Sequence, residues 1–130
     1  MLEMIYSFFF GGLLPLLMLF IGIIFGKNPP EEVGGIGYNT SFSRLNNDTW
    51  KTAQLIMSRL WKKLGIIMLA VSLVLLLMLS FIFSGDSLLL AMTGVIMLQV
   101  IAMLGSIFLI ERELRKIFDD EGERRERTND

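Results

Sequence analysis

The sequence predicts an all-α membrane protein with three transmembrane helices, an external N-terminus, a cytoplasmic C-terminus and an interfacial amphipathic helix before the second span. Three observations predict this class. The 130-residue chain is 53% hydrophobic, its apolar residues fall into three uncharged blocks, and all twelve lysines and arginines lie in two segments. Three buried helices of a soluble bundle are the alternative, but the remaining segments are too short and polar to cover helices that are apolar all round.

Each of the three blocks is long enough to cross a hydrocarbon core of about 30 Å at about 1.5 Å per residue. We expect spans at about residues 4–25, 64–83 and 88–110. Pro15 is expected to kink the first span, and the spacing of Gly22 and Gly26 either allows close approach by another helix or only ends this one. The four residues Ser84 to Ser87 join the second and third spans, so these spans are expected to be antiparallel neighbours.

The orientation is predicted from the position of the cations. One group lies between Lys27 and Lys63 and the other between Arg112 and Arg127, whereas the N-terminus and the short hairpin carry none. Because short cationic segments stay in the cytoplasm, we expect the loop of residues 26–63 and the C-terminus to be cytoplasmic. Residues 1–118 are then a single membrane domain. The charged tail of residues 119–130 lacks large apolar side chains and is expected to be disordered.

The residue types argue against several classes of protein. The chain has no cysteine and no histidine, which removes thiol chemistry and the commonest general base and metal ligand. No charged residue lies in any span, so a proton-coupled relay has no titratable group. We therefore expect no enzyme, no catalytic residue, no metal, no cofactor and no nucleic-acid partner. A small oligomeric membrane transporter or channel subunit remains as an alternative function.

Gln99 is the one strongly polar side chain near the centre of a span. A primary amide that faces lipid is costly, so we expect Gln99 to point inward. It either forms a hydrogen bond between helices, which is the commoner role of such a residue, or it contacts a bound ligand.

The loop between the first two spans contains unusual local signals. Pro29 and Pro30 end the first helix, and the glycines that follow allow tight turns. Asn47 or Asp48 is expected to cap the next helix. That helix has a stripe of apolar residues spaced by three and four, which suits the membrane interface. The stripe consists of Trp50, Ala53, Met57, Leu60, Trp61 and Leu64.

The order of residues in this loop resembles that of the SdpI immunity-protein family of bacterial membrane proteins. The matching positions form a Gly-Tyr-x-Thr element followed by Ser, Asn, Trp, a polar residue and a small-plus-basic pair. They are Gly37, Tyr38, Thr40, Ser43, Asn47, Trp50, Gln54, Ser58 and Arg59. The chain departs from the family at Asn39, where an arginine is usual, so a contact made by that arginine would be lost.

The resemblance implies a protein of the bacterial cell membrane that protects the cell against a secreted, membrane-active peptide toxin. It also implies signalling, in which a cytoplasmic repressor is held at the membrane. The implied partners are the lipid bilayer, an apolar peptide toxin, the repressor and further copies of the chain. The residues expected to form the motif or to bind a ligand or partner are Gly37, Tyr38, Asn39, Thr40, Asn47, Trp50, Gln54, Arg59 and Gln99.

Overall fold

The computed structural model describes residues 1–125, most of which lie in three helices. All three helices are long and apolar enough to cross a membrane. The predicted all-α class with three spans is therefore confirmed. The helices are α1 (Leu2–Lys27), α2 (Asn47–Ile82) and α3 (Asp86–Ile117).

Small residues bring α1 and α2 together as antiparallel neighbours. A Cβ atom added to Gly22 would lie 2.8 Å from the backbone nitrogen of Lys62, and one added to Gly65 would lie 2.9 Å from the carbonyl oxygen of Pro15. The hydroxyl of Ser58 donates a hydrogen bond of 2.6 Å to the carbonyl oxygen of Gly22. Of the two roles that the sequence allowed for Gly22, the structure has the close approach, and this approach uses the serine of the small-plus-basic pair.

Most of the apolar surface of the helices points away from the bundle. In the most apolar window of α1, α2 and α3, only 22%, 22% and 17% of the residues are buried. Many of their remaining apolar side chains are exposed, which suits a lipid environment and would be unusual for a protein in water.

The helix α2 runs without interruption through the predicted junction between interfacial helix and span. It has 36 residues, which corresponds to a length of about 54 Å. This exceeds a hydrocarbon core of about 30 Å. The helix α2 is thus longer than a bilayer core is thick.

Asn46 caps α2, so the predicted cap at Asn47 or Asp48 is wrong. The Oδ1 atom of Asn46 accepts a hydrogen bond of 2.8 Å from the backbone of Thr49, and the Thr49 hydroxyl oxygen accepts one of 3.0 Å from the backbone of Asn46. This reciprocal capping box needs a polar side chain three residues after the cap. Asn47 has Trp50 at that position and is the first residue of the helix.

The segment after α3 folds back onto the loop. Gly122 has a φ of +86°, which lets the chain turn, and its carbonyl oxygen accepts a hydrogen bond of 2.8 Å from the side chain of Asn46. Arg124 forms two hydrogen bonds of 2.8 Å with the carboxylate of Asp48. Residues 119–125 thus differ from the expected disorder, and the rest of that expectation, for residues 126–130, lies outside the described residues.

A compact apolar core lies where the loop, the first part of α2 and the end of α3 meet. The loop contributes two aromatic side chains, the residue after α3 contributes Phe118, and the two helices contribute the rest. Its buried members are Tyr38, Phe42, Ala53, Ile56, Met57, Ile110, Leu114 and Phe118. This core fixes the loop against the bundle and so positions the residues of the candidate site.

Candidate functional site

The start of the loop is held by Trp50, whose side chain is only 1% exposed. Its indole Nε1 donates a hydrogen bond of 2.8 Å to the carbonyl oxygen of Pro30. The sequence allowed Trp50 to be an interface anchor or part of a loop cluster. Burial and this bond give it a packing role inside the protein, where it ties the proline turn to α2.

Tyr38 and Gln54 form a reciprocal pair that joins the loop to α2. The Oε1 atom of Gln54 accepts a hydrogen bond of 2.8 Å from the backbone nitrogen of Tyr38, and its Nε2 atom donates one of 2.8 Å to the Tyr38 carbonyl oxygen. The Gln54 side chain is fully buried. A buried amide is stabilised when its donors and acceptors are paired. The backbone of Tyr38 supplies the hydrogen bonds that water would supply to an exposed glutamine.

The hydrogen-bonded pair of Tyr38 and Gln54 requires a glycine at position 37, Gly37, for two reasons. Its φ of +134° lies in a region that side chains rarely adopt. A Cβ atom at this position would lie 2.6 Å from Oε1 of Gln54. The glycine of the Gly-Tyr-x-Thr element therefore allows the backbone to approach Gln54 closely.

Glu111 accepts hydrogen bonds from two hydroxyl groups of the loop. Its Oε1 atom accepts a hydrogen bond of 2.6 Å from the Tyr38 hydroxyl and another of 2.6 Å from the Thr40 hydroxyl. Ser43 fixes Thr40 in turn, because its Oγ atom accepts a hydrogen bond of 2.9 Å from the Thr40 backbone nitrogen. Bonds to an ionised carboxylate are stronger than neutral ones, so this cluster is a firm link between the loop and α3.

The environment of Tyr38 favours the neutral phenol. Burial raises the pKa of Tyr38 well above its ordinary range, and the hydrogen bond and the negative charge of Glu111 raise this pKa further. Ionisation would place a second negative charge beside the carboxylate. The phenol is therefore a hydrogen-bond donor at physiological pH.

An apolar crevice of about 410 Å³ opens between the loop and the three helices. Its wall on the loop side is formed by residues 36–40, which include the Gly-Tyr-x-Thr element. The helices supply large apolar side chains. These are Ile21 and Phe25 of α1, Met57 and Trp61 of α2, and Met103, Leu104 and Ile107 of α3.

Gln99 points inward, as predicted, and is 4% exposed. Its Nε2 atom donates hydrogen bonds of 2.6 Å to the carbonyl oxygen of Gly11 and 2.7 Å to the hydroxyl of Ser72. Gln99 therefore bonds to both other helices. Its Oε1 atom, like the hydroxyl of Ser7, is buried and has no hydrogen-bond partner among residues 1–125.

Three residues of the sequence-derived set make their contacts outside the hydrogen-bonded cluster around Tyr38, and one of them, Asn39, also lines the apolar crevice. Asn39 is exposed, and its side chain donates hydrogen bonds of 3.1 and 3.2 Å to the carbonyl oxygens of Gly34 and Gly35. Asn47 is exposed on the first turn of α2. Arg59 is exposed and lines a separate cleft between α2 and α3.

Sequence reasoning missed Glu111 as a site residue because it looks like the first acid of a charged tail. One signal points to it, namely that it directly follows the uncharged third span and lies just before a short apolar stripe. The structure brings it to Tyr38 and Thr40, which no spacing rule predicts.

The described part of the chain offers hydrogen bonds and apolar contact. Within residues 1–125, no group of three or more aspartates and glutamates is placed to hold a metal ion. The fold and the site together define a multi-pass helical membrane protein with a structured polar loop.

A sequence model described as the SdpI/YfhL protein family matches residues 32–110. The match covers more than half of the chain, so the chain belongs to this family, and the resemblance of its loop motif is confirmed. It is a family of membrane immunity proteins and not a known enzyme family. Comparison with curated proteins and with solved structures found no match.

Proposed function

We propose that the chain protects a bacterial cell against a secreted, membrane-active peptide toxin. Family membership supports the immunity class. The observation that carries the proposal is the apolar crevice beside the Gly-Tyr-x-Thr element. This crevice places an apolar binding surface directly against the loop that carries the family pattern.

The chemistry of the crevice suits an apolar peptide segment. Met57 and Met103 have flexible, polarizable side chains that adapt to irregular partners. Trp61 donates a hydrogen bond of 3.1 Å to Ser106, so its ring is held in place as a rigid wall. A toxin that enters the bilayer would insert apolar side chains here and would then touch Tyr38, which is bonded to Glu111.

The proposed orientation has the N-terminus outside and both cationic segments in the cytoplasm of a bacterial cell. The distribution of all twelve lysines and arginines supports it. The first part of α2, from Trp50 to Lys63, then lies at the cytoplasmic interface. The length of α2 beyond a bilayer core supports this placement.

Signalling through a cytoplasmic repressor is the second part of the proposal. The loop and the segment after α3 form a joint surface, because Asp48 pairs with Arg124 and Asn46 bonds to Gly122. If toxin binding changed the hydrogen bond between Tyr38 and Glu111, the loop would be held less firmly against α3, and this surface would change with it. The repressor would then bind one state of the surface and not the other.

A survival assay tests the proposed function. The chain is expressed in toxin-sensitive bacteria, which are challenged with a panel of apolar, membrane-active bacterial peptide toxins. Survival above that of cells with an empty vector is expected for at least one toxin. No protection at normal membrane level against any of them would contradict the proposal.

A matched pair of variants tests the crevice. Leu104→Trp adds a large ring to the crevice wall and should abolish protection by filling the site. Leu90→Trp makes the same change at a position that is 74% exposed and should preserve protection. Equal protection by both variants, at equal membrane level, would show that the crevice is not the toxin site.

A further inference from the structure

A second cleft, of about 530 Å³, runs between α2 and α3 and shares no lining residue with the apolar crevice. Its rim is basic. Arg59 and Lys63, one turn apart on α2, line it together with Arg112 and Lys116, one turn apart on α3. Four cations from two helices therefore converge on one space.

The cations in this basic cleft have little local neutralisation. Within residues 1–125, Glu113 is the one carboxylate that lines the cleft, and it pairs with Lys116 at 3.2 Å. Arg59, Lys63 and Arg112 form no salt bridge with a carboxylate within residues 1–125. Like charges held close together repel each other, so an anion in the cleft would be stabilised by all four.

The floor of the cleft is apolar. Ile56 and Leu60 of α2 and Leu109 and Ile117 of α3 line it beside the cations. A free inorganic anion would gain nothing from these side chains. A ligand that carries both a negative group and a hydrocarbon chain matches both parts of the cleft.

The position of the cleft along α3 fits the surface of a bilayer. Leu109 lies at the end of the third uncharged block, and Arg112 is the first cation beyond it. In the proposed orientation, Leu109 thus lies at the depth of the acyl chains, and the cations lie at the depth of the headgroups. Basic pockets between transmembrane helices bind anionic headgroups in this way.

We propose that the basic cleft is a binding site for an anionic phospholipid. The lipid phosphate lies among Arg59, Lys63, Arg112 and Lys116, and part of an acyl chain packs on Leu60 and Leu109. The site is separate from the proposed immunity function, since lipid binding is measured without any toxin.

The test measures lipid binding by the full chain in a neutral detergent, by native mass spectrometry and by thermal unfolding. The probes are dioleoylphosphatidylglycerol, dioleoylphosphatidylcholine and inorganic phosphate. The phosphatidylglycerol should bind and raise the melting temperature, whereas the zwitterionic lipid should bind at least about tenfold more weakly. Phosphate alone should cause no shift at the same concentration.

Paired variants locate the site. The double variant Arg59→Gln with Lys63→Gln should weaken phosphatidylglycerol binding by about fivefold for each cation removed. The double variant Arg112→Gln with Lys116→Gln should do the same from α3, which guards against a folding defect in the first variant. The control removes two exposed cations outside the cleft, Lys27→Gln with Lys51→Gln, and should bind as the wild type does.

Three results would overturn the proposal. The first is equal binding of phosphatidylglycerol and phosphatidylcholine. The second is an equal effect of inorganic phosphate, which would indicate a simple anion site. The third is equal weakening by the control and by the cleft variants, which would indicate attraction by net charge alone.

Discussion

The hydroxyl of Tyr38 donates a hydrogen bond of 2.6 Å to Oε1 of Glu111, across 73 positions of sequence. Thr40 donates to the same oxygen at 2.6 Å. One carboxylate of α3 therefore holds the loop that follows α1. Removal of this carboxylate should have consequences for stability, for the titration of Tyr38 and for protection.

Glu111→Ala should lower the free energy of unfolding by about 1.5–3 kcal/mol, because it removes a charged acceptor of two hydroxyl groups. Glu111→Gln should cost less, since the amide oxygen still accepts. Glu113→Ala is the control, because its carboxylate is exposed and its salt bridge within residues 1–125 is with the exposed Lys116, and it should change stability by less than about 0.5 kcal/mol. Denaturant unfolding in detergent measures all three. Equal losses in Glu111→Ala and Glu113→Ala would contradict the link.

The ionisation of Tyr38 should occur above the ordinary tyrosine pKa of about 10, because burial and Glu111 raise it. The chain has two tyrosines, so Tyr6→Phe isolates Tyr38 in a titration of tyrosinate absorbance. In the unfolded chain the phenol loses its proton near pH 10, whereas the folded chain retains it. The stability from this group is therefore complete below about pH 10 and falls as the pH rises further.

The Tyr38 titration has its own control. Glu111→Gln should lower the Tyr38 pKa only in part, because burial is the larger cause. A wild-type Tyr38 that ionises at its ordinary value, in a folded protein, would show that the phenol is exposed and unbonded.

Gly37→Ala should destabilise the protein by about 1–3 kcal/mol, the usual cost of a strained backbone. The new Cβ atom would also lie 2.6 Å from Oε1 of Gln54 and disturb its pair with Tyr38. Gly94→Ala is the matched control, since a Cβ atom there meets, among residues 1–125, no atom within 4 Å beyond its own stretch of helix. Thermal unfolding compares them, and a Gly37→Ala variant as stable as Gly94→Ala would argue against the described loop conformation.

Gln99→Leu should cost at most about 2 kcal/mol, as expected for a polar contact between membrane helices. Its Nε2 atom bonds to Gly11 and Ser72, but Oε1 has no partner among the described residues. Thr93→Val is the control, because Thr93 bonds only to its own helix. Protection should persist in Gln99→Leu. Loss of protection with unchanged stability and membrane level would instead favour the ligand-contact role of Gln99.

The orientation is tested with single cysteines at Ser41, Ser87 and Glu121, which are all exposed. The chain has no native cysteine, so labelling reports only the introduced residue. An impermeant thiol reagent on intact cells should label the cysteine at position 87 only, and the other two should react after permeabilisation. Labelling of position 41 or 121 in intact cells would contradict the proposed orientation.

The helical part of the fold could be predicted from the sequence because it depends on local composition. Three uncharged apolar blocks predict three spans. The spacing of Gly22 and Gly26 allowed either a close helix contact or a helix end, and the structure contains the contact. Gln99 could be predicted to point inward for the same kind of reason. In a transmembrane helix, a primary amide is least costly in free energy when it faces the interior of the bundle.

The site could be predicted only in part because its contacts are distant in sequence. The family pattern indicated Gly37, Tyr38, Thr40 and Gln54, which the structure brings together. It did not indicate Glu111, since a tail acid and a loop partner look alike in sequence. The correct helix cap depended on which of four adjacent polar residues has a reciprocal partner, and only the three-residue spacing of Asn46 and Thr49 decides this.

The bond between Tyr38 and Glu111 also sets an order for biosynthesis. Ribosomes add residues from the N-terminus, so the loop emerges well before its carboxylate partner does. Gln54 is available early, and the pairing of the Tyr38 backbone with α2 needs only the first two helices. The Tyr38 hydroxyl can form its hydrogen bond to Glu111 only after the third helix has been made and inserted. Closure of the loop is therefore a late event, and a chain truncated before Glu111 would leave its two hydroxyl donors without this acceptor.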